Sequence, residues 1–595
     1  MKTFVFCFLS SYTTPILADF LGPSYPAPVD LSSNASLVLS SWRNVSTQLQ
    51  KRVTDIDSAA SWNNVTFSLG MFSLYDDEAT TLQFHHTSPE IANSTYGTKS
   101  VDADSIYRIA SVSKVFTVLA GLLNLNLTDW ERPLTDLIAP LAKFTKELSG
   151  DNDFVNIVEW DKVTPNALAA QIAGVPRDGF VAPGELTYAY LAIDGLEGLQ
   201  ELIDLGFPPI ADNDTQEYPP CFPYLINATT CPANPWVESV EGLTPTFRPW
   251  TTPAYSDAGF AMLGLAIASI ARKSMDDIYR SEIFEPLGMS SSNSTTPPRS
   301  AWDHCVIPGN STANFAIDAG VLVSTGGLLS TINDLARFSR AILNSTLLLP
   351  EDTRRWLKPF SHTAHLQYSV GRPWEIMRFT HPTTNKVTDL YTKFGDSGDY
   401  SGFLALVPDY QAGFNVLASS TSLTRSTVIL EIADLVINTI LPALEAQAAA
   451  EAEYSLGGLY TSTGPVNSSL SLVSNNSAGA APGLHIKSWI SNGTDLLQSG
   501  LLGPLPYRLV PSIEDVAGSK SAFWMVNAND APNAESQAGR LASAPGFANA
   551  DWVLVDSPAY GGNAVKRFVF DLADDGQAAA VSPTVFRIKL HRVNA

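Results

Sequence analysis

Apolar residues at Val38, Trp42, Val45, Leu49 and Val53 recur at three- and four-residue intervals and predict an amphipathic helix over about 36–54. Alternating runs follow at Val65 to Leu74 and Thr80 to Phe84, the pattern of strands in an antiparallel sheet. The stretch around Ser111 is different. Ile109 and Ala110 precede it, and Val115, Phe116, Val118, Leu119, Leu122 and Leu123 follow. A helix apolar nearly all round belongs inside a domain, and helical patterning continues to about Leu148. From Gly179 to Pro253 periodicity fades into a proline-rich, aromatic segment with Phe222, Tyr224, Trp236 and Trp250, expected to be packed loops rather than a disordered excursion. Helices are predicted again over Ala258 to Arg280 and Thr331 to Leu343. Strands at Phe403 to Val407 and Phe414 to Ala418 are joined by a turn with Pro408, Asp409 and Gly413. A long helix over Ser426 to Ala450, kinked near Pro442, leads into the alanine- and glutamate-rich Ala446 to Glu453, read as a helical end and linker. Beyond Tyr454 the chain becomes a series of short alternating segments: Ser469 to Val473, Leu484 to Trp489, Ala550 to Val555, Arg567 to Leu572 and Val585 to Leu590. That is the signature of a separate antiparallel β-sandwich or barrel. The expected class is α+β, with a C-terminal all-β domain.

A length of 595 residues is too great for one hydrophobic core. The expected divisions are an export signal over 1–18, an N-terminal extension over 19–59, a catalytic domain over 60–450 and a β domain over 454–595. A net charge of −23 argues against nucleic acid or an anionic membrane surface as partner. Met1 to Ala18, with Lys2, the apolar Phe4 to Leu9 and the small-residue end at Ala18, reads as the export signal and is too short to span a bilayer. Asn-x-Ser/Thr sequons at Asn34, Asn44, Asn64, Asn93, Asn126, Asn213, Asn227, Asn293, Asn310, Asn344, Asn467, Asn475 and Asn492 fit a glycosylated, extracellular protein. Of the cysteines that would remain after the signal, Cys221 and Cys231 flank a short loop and are expected to pair, leaving Cys305 as a buried or free thiol.

Candidate chemistry centres on Ser111-Val112-Ser113-Lys114. Residues three apart share a helix face, so the Lys114 amine can reach the Ser111 hydroxyl. In an apolar helix start the lysine is desolvated, which raises its fraction of free amine. Free backbone NH groups at the same helix end suit an oxyanion. Metal chemistry finds no support: the eight histidines are scattered, without an HxHxD or HExxH cluster, and no GxSxG elbow or phosphate loop occurs. No cofactor or metal is expected.

Two later segments complete the constellation: Tyr255-Ser256-Asp257 at the entry to the Ala258 helix, and Lys393-Phe394-Gly395-Asp396 at the start of the late hairpin region. Ser-x-x-Lys, Tyr-x-Asn/Asp and Lys-x-Gly, in that order, resemble the serine β-lactamase and penicillin-binding-protein superfamily, and in spacing its class C branch with related esterases and D-aminopeptidases. Phe284-Glu285-Pro286-Leu287-Gly288-Met289, Gly326-Gly327-Leu328 and Gly398-Asp399-Tyr400-Ser401-Gly402 are similar to the same family, so the resemblance spans about 60–450. It implies a β-lactamase/transpeptidase-like α/β domain with an antiparallel sheet and a helical subdomain.

The resemblance also implies roles. Ser111 is the residue acylated, Lys114 its base, and Tyr255 the proton relay to the leaving group. Lys393 is a second cation that holds Tyr255 and Lys114 at low pKa. The backbone NH groups of Ser111 and Asp396 form the oxyanion hole. Asp257, Phe394 and Gly395 are expected to contact substrate, Asp257 having helix capping as its alternative role. Phe394 stands where a β-lactamase usually has Thr or Ser, which turns the expectation away from antibiotics. The aromatic loop running into Tyr255 is expected to wall the pocket, opposite Arg372-Pro373-Trp374-Glu375. The resulting expectation is a secreted serine hydrolase acting on a small-molecule ester or amide, without a membrane span. The alternatives are an acyltransferase or biosynthetic hydrolase at the same site, and a binding or sensor protein that does not turn over.

Overall fold

The computed structural model describes residues 21–593 apart from 56–61, 149–152, 178–195, 210–220, 222–229, 311, 385, 476–480, 501, 503–505, 516 and 528–553. The expected export signal, Phe222 and Tyr224 of the aromatic loop, sequons Asn213 and Asn227, and residues 550–553 of an expected strand lie outside the described residues.

An eight-stranded, wholly antiparallel sheet organises the first part of the chain. Its order is Gln83–His86, Thr66–Ser73, Ala412–Ser419, Tyr400–Val407, Val387–Ser397, Glu375–Thr380, Tyr368–Val370 and Ser361–His362. Strand alternation divides its side chains between two cores. Tyr391 and Leu404 face a cluster built on the helices Ser113–Asn124, Asp257–Ala271 and Ile332–Leu343. Leu390 and Phe403 face a second cluster with the helices Leu37–Thr54 and Arg425–Leu456. Ser36 caps the first of these, accepting from the amides of Val38 at 3.1 Å and Leu39 at 3.4 Å.

The helix Arg425–Leu456 carries Pro442 inside it and does not end at Ala450. Ala446 to Glu453 is therefore not a linker. Ala448, Ala449 and Ala452 are buried in the second cluster, where their small side chains let neighbours approach. Gln447 and Glu451 accept backbone amides from the N-terminal segment, Leu37 at 2.9 Å and Val29 at 2.7 Å. This helix is long and apolar enough to cross a membrane, but 56% of its apolar window is buried inside the protein, as a core helix requires.

Most C-terminal strands form one sheet, ordered Ser469–Asn475, Gly458–Ser462, Leu590–Arg592, Ala578–Pro583, Arg567–Leu572, Lys520–Asn527, Tyr507–Glu514, Gly483–Ser491 and Thr494–Asp495, while Ala559–Tyr560 and Asn563–Ala564 pair separately. Ser469–Asn475 pairs directly with Gly483–Ser491 and closes it into a barrel, which settles barrel against sandwich. Its interior is continuous with the second cluster of the catalytic part, so the two parts share one core.

Two strand expectations are corrected. At Thr80 to Phe84 the chain forms a 3-10 turn over Asp77–Thr81, started by Asp76 accepting from the Glu78 amide, and the strand begins only at Gln83. Val585 to Leu590 is broken by a 3-10 turn at Thr584–Phe586 and by Arg587 in the left-handed region, φ 54°.

Candidate active site

Ile109 enters the first core from the strand Tyr107–Arg108, and the chain then makes a tight turn. Ala110 takes a left-handed conformation, φ 45°, which is costly for a residue with a Cβ and places Ser111 at the corner. Ala110–Val112 is a 3-10 turn that runs into the α-helix beginning at Ser113. In a 3-10 turn residues three apart nearly eclipse. The Lys114 Nζ accordingly lies 3.0 Å from the Ser111 Oγ. Ser113 anchors the turn by donating to the Ala110 carbonyl at 2.7 Å.

Lys114 is fully buried. Its three ammonium hydrogens have three acceptors: Ser111 Oγ, Asp257 Oδ1 at 2.5 Å and the Thr325 carbonyl at 2.8 Å. Burial pushes its pKa down to about 8, against the upward pull of Asp257; Lys393 adds a further lowering. Tyr255 donates from its hydroxyl to Ser111 Oγ at 2.7 Å. Both lysines lie over its ring, Lys114 Nζ at 4.9 Å and Lys393 Nζ at 5.1 Å from the centroid.

Tyr255 departs from the expectation of a lowered pKa. Burial foremost, and then the Asp257 carboxylate, push it well above its ordinary value, so at rest it is a neutral donor. Lys393 cannot offset this, because its own charge is matched by Glu375: Nζ donates to Glu375 Oε1 and to the Phe394 carbonyl at 2.6 Å. Glu375 also accepts the Phe394 amide at 2.8 Å, so one carboxylate grips two consecutive residues of the strand. Sequence reasoning passed over Glu375 as part of the Arg372 to Glu375 wall. Strand register sets it opposite Thr392 rather than Lys393, so neither spacing nor register marked the contact.

Asp257 is not the helix cap. Ser256 takes that position, accepting from the Gly259 amide at 2.7 Å, which leaves the Asp257 carboxylate for Lys114 and, at 3.8 Å, Arg177. Gly395 and its cross-strand partner Gly402 form the floor. A Cβ on Gly395 would stand 2.5 Å from the Ser111 backbone nitrogen, and one on Gly402 2.9 Å from the Ile109 carbonyl oxygen. Only glycines let the hairpin lie this close to the Ser111 turn. Phe394 alternates to the face opposite Gly395 and, half-buried, packs against the second cluster beside Phe403, away from its expected place at the substrate. Asp396 follows with its carboxylate turned to Arg425, 2.8 Å, and Ser401, 2.5 Å.

Of the aromatic loop, Trp236 is fully buried in the first core, whereas Trp250 is exposed beside Phe360, ring centroids 6.1 Å apart. Trp374 is also core, packed on Trp356 at 5.3 Å. Cys221 and Cys231 form a disulfide with Cα atoms 5.6 Å apart, and Cys305 is free and buried. Among the described residues no group of His, Cys, Asp and Glu is arranged to hold a metal.

The family model for β-lactamase matches residues 90–438, and a second, described as a β-lactamase-like C-terminal domain, matches 448–594. The chain is 28% identical over 589 residues to a β-lactamase-like protein of Arthroderma benhamiae, covering 92% of this chain and 91% of the relative. It is 24% identical to probable hydrolase clz13 of Cochliobolus lunatus, covering 85% and 82%. Among solved structures, a class C β-lactamase superposes with a TM-score of 0.44 at 13% identity, covering 69% of this chain and 98% of that one. With a family model spanning more than half of its length, the chain belongs to the β-lactamase family, as a probable serine hydrolase with a C-terminal barrel.

Proposed function

We propose that this protein cleaves a small-molecule ester or amide through an acyl-enzyme on Ser111, and that it does so outside the cell. One observation carries the reading: the Ser111 Oγ has a buried amine at 3.0 Å and a phenol at 2.7 Å. In this reading Lys114, in its free-amine form, takes the Ser111 proton as Oγ attacks the carbonyl carbon. The oxyanion is held by the amides of Ser111 and Asp396. Tyr255 passes a proton to the leaving alcohol or amine and is reprotonated from Lys114. Water then attacks the acyl group, and the serine leaves with a proton. With its pKa near 8, about one Lys114 in ten is a free amine at pH 7. Export is supported by the disulfide and by the exposure of sequon residues Asn34, Asn44, Asn93, Asn126, Asn344 and Asn467.

Labelling with a fluorophosphonate tests the nucleophile. Wild type is expected to label and to hydrolyse p-nitrophenyl esters, and Ser111→Ala to do neither. Equal labelling of both would remove Ser111 from the mechanism.

A further inference from the structure

We propose that the pocket selects substrates without a carboxylate near the scissile bond, and that Glu375 enforces the choice. This rests on the hydrolase reading above and names its substrate class.

Both site lysines are already matched by carboxylates, Lys114 by Asp257 and Lys393 by Glu375. In each pair the ammonium is the hidden partner and the carboxylate the accessible one. Side-chain exposure is 0% for Lys114 against 20% for Asp257, and 1% for Lys393 against 39% for Glu375. At each of these pairs a substrate therefore meets the carboxylate oxygens before the lysine. On the Asp257 side the exposed Arg177 stands 3.8 Å from the carboxylate and adds a second cation to Lys114, so the repulsive face is confined to the strand side. On the strand side the neighbouring cation is Lys393, whose hydrogens go to Glu375 and the Phe394 carbonyl. Phe394 offers no hydroxyl there, and its half-buried ring packs against the second cluster on the other face of the strand.

A substrate whose carbonyl lies at the Ser111 Oγ runs along the edge of Lys393 to Asp396, because Gly395 touches the Ser111 turn. A carboxylate on that substrate would have to displace Glu375 from Lys393 or sit beside it, and like charges at that range disfavour the second. Displacement would also free the Phe394 amide that Glu375 holds. Rejection by repulsion thus accompanies whatever contacts attract the true substrate. The class this leaves is neutral or cationic esters and amides.

The test compares kcat/KM for matched esters: p-nitrophenyl butyrate against p-nitrophenyl hemisuccinate for the acyl side, and phenyl acetate against 3-carboxyphenyl acetate for the leaving side. Wild type is expected to favour the neutral member by more than tenfold in at least one pair. Glu375→Gln should shrink that preference at least tenfold, and Glu375→Asp should keep most of it. Raising salt from about 50 mM to about 1 M should narrow the wild-type preference, a readout that needs no variant. Equal turnover of neutral and anionic esters by wild type, or a preference unchanged in Glu375→Gln and by salt, overturns the proposal while Ser111 labelling persists. No turnover of any ester together with no labelling overturns the hydrolase reading, and this proposal with it.

Discussion

Gly395 and Ser111 are in backbone contact: the position a Cβ would occupy on Gly395 is 2.5 Å from the Ser111 nitrogen, with the Ile109 oxygen and Val112 nitrogen at 2.9 Å. All three neighbours are main-chain atoms, which cannot rotate away. Gly395→Ala must therefore push the strand off the turn, moving the amides of Ser111 and Asp396 apart. The expected result is a loss of about 10² to 10³ in acylation rate, the cost of one oxyanion donor, with a destabilisation of about 1–3 kcal/mol from overpacking. Phosphonate labelling kinetics and thermal unfolding measure the two. An acylation rate within threefold of wild type would contradict the contact.

The acid limb of the pH profile should belong to Lys114. Below about pH 8 it is an ammonium and cannot take the Ser111 proton, so kcat/KM is expected to rise through that pH. Asp257 favours the ammonium. Asp257→Asn should therefore move the limb to lower pH, even as it lowers the maximal rate by loosening Lys114. A limb that moves upward, or stays in place, would assign the titration elsewhere.

Ser256 and Asp257 are neighbours with separate tasks, and substitution should separate them. Ser256→Ala removes a helix cap and the bond to the Pro176 carbonyl, and is expected to cost about 0.5–2 kcal/mol. Chemical denaturation would show the loss, while the midpoint of the pH limb stays within a few tenths of wild type.

Removal of the barrel tests the shared core. Ending the chain after Tyr454 would uncover the second cluster, where Leu441, Leu444 and Ala448 of the long helix sit with Leu470, Trp489 and Phe568 of the barrel. The truncated protein is expected to aggregate or to melt far below wild type. A monodisperse product with an unaltered melting temperature would make the barrel an independent appendage.

Legibility differed between elements for physical reasons. The N-terminal helix is periodic over many residues, and the Ser113 helix and hairpin strands are long apolar runs, patterns that survive any tertiary setting. The expected Thr80 strand failed because Asp76, just before the alternating run, captures an amide and starts a turn that carries into it. Ala446 to Glu453 misled for the opposite reason: alanine suits a solvated linker and a close helix contact equally, and only the partner decides. At the site, Ser111 and Lys114 were marked by their three-residue spacing and Tyr255 and Lys393 by the family resemblance, and the structure brings the four together around one tyrosine ring. Glu375 escaped because its link to Lys393 runs across a strand pair rather than along the chain. Phe394 was misjudged because adjacent residues of a strand face opposite ways.

The strand Thr66–Ser73 lies between Gln83–His86 and Ala412–Ser419. An early strand thus waits for a partner encoded near the far end of the catalytic part. During synthesis the Ser111 turn emerges long before the Gly395 hairpin that it rests on, and the apolar helix behind it has no sheet to cover. Long-range pairing of this kind folds slowly and leaves hydrophobic surface open meanwhile. The nascent chain should depend on chaperones until Ser419 has left the ribosome, and recombinant yield should respond to translation speed and folding helpers more than to any single surface substitution.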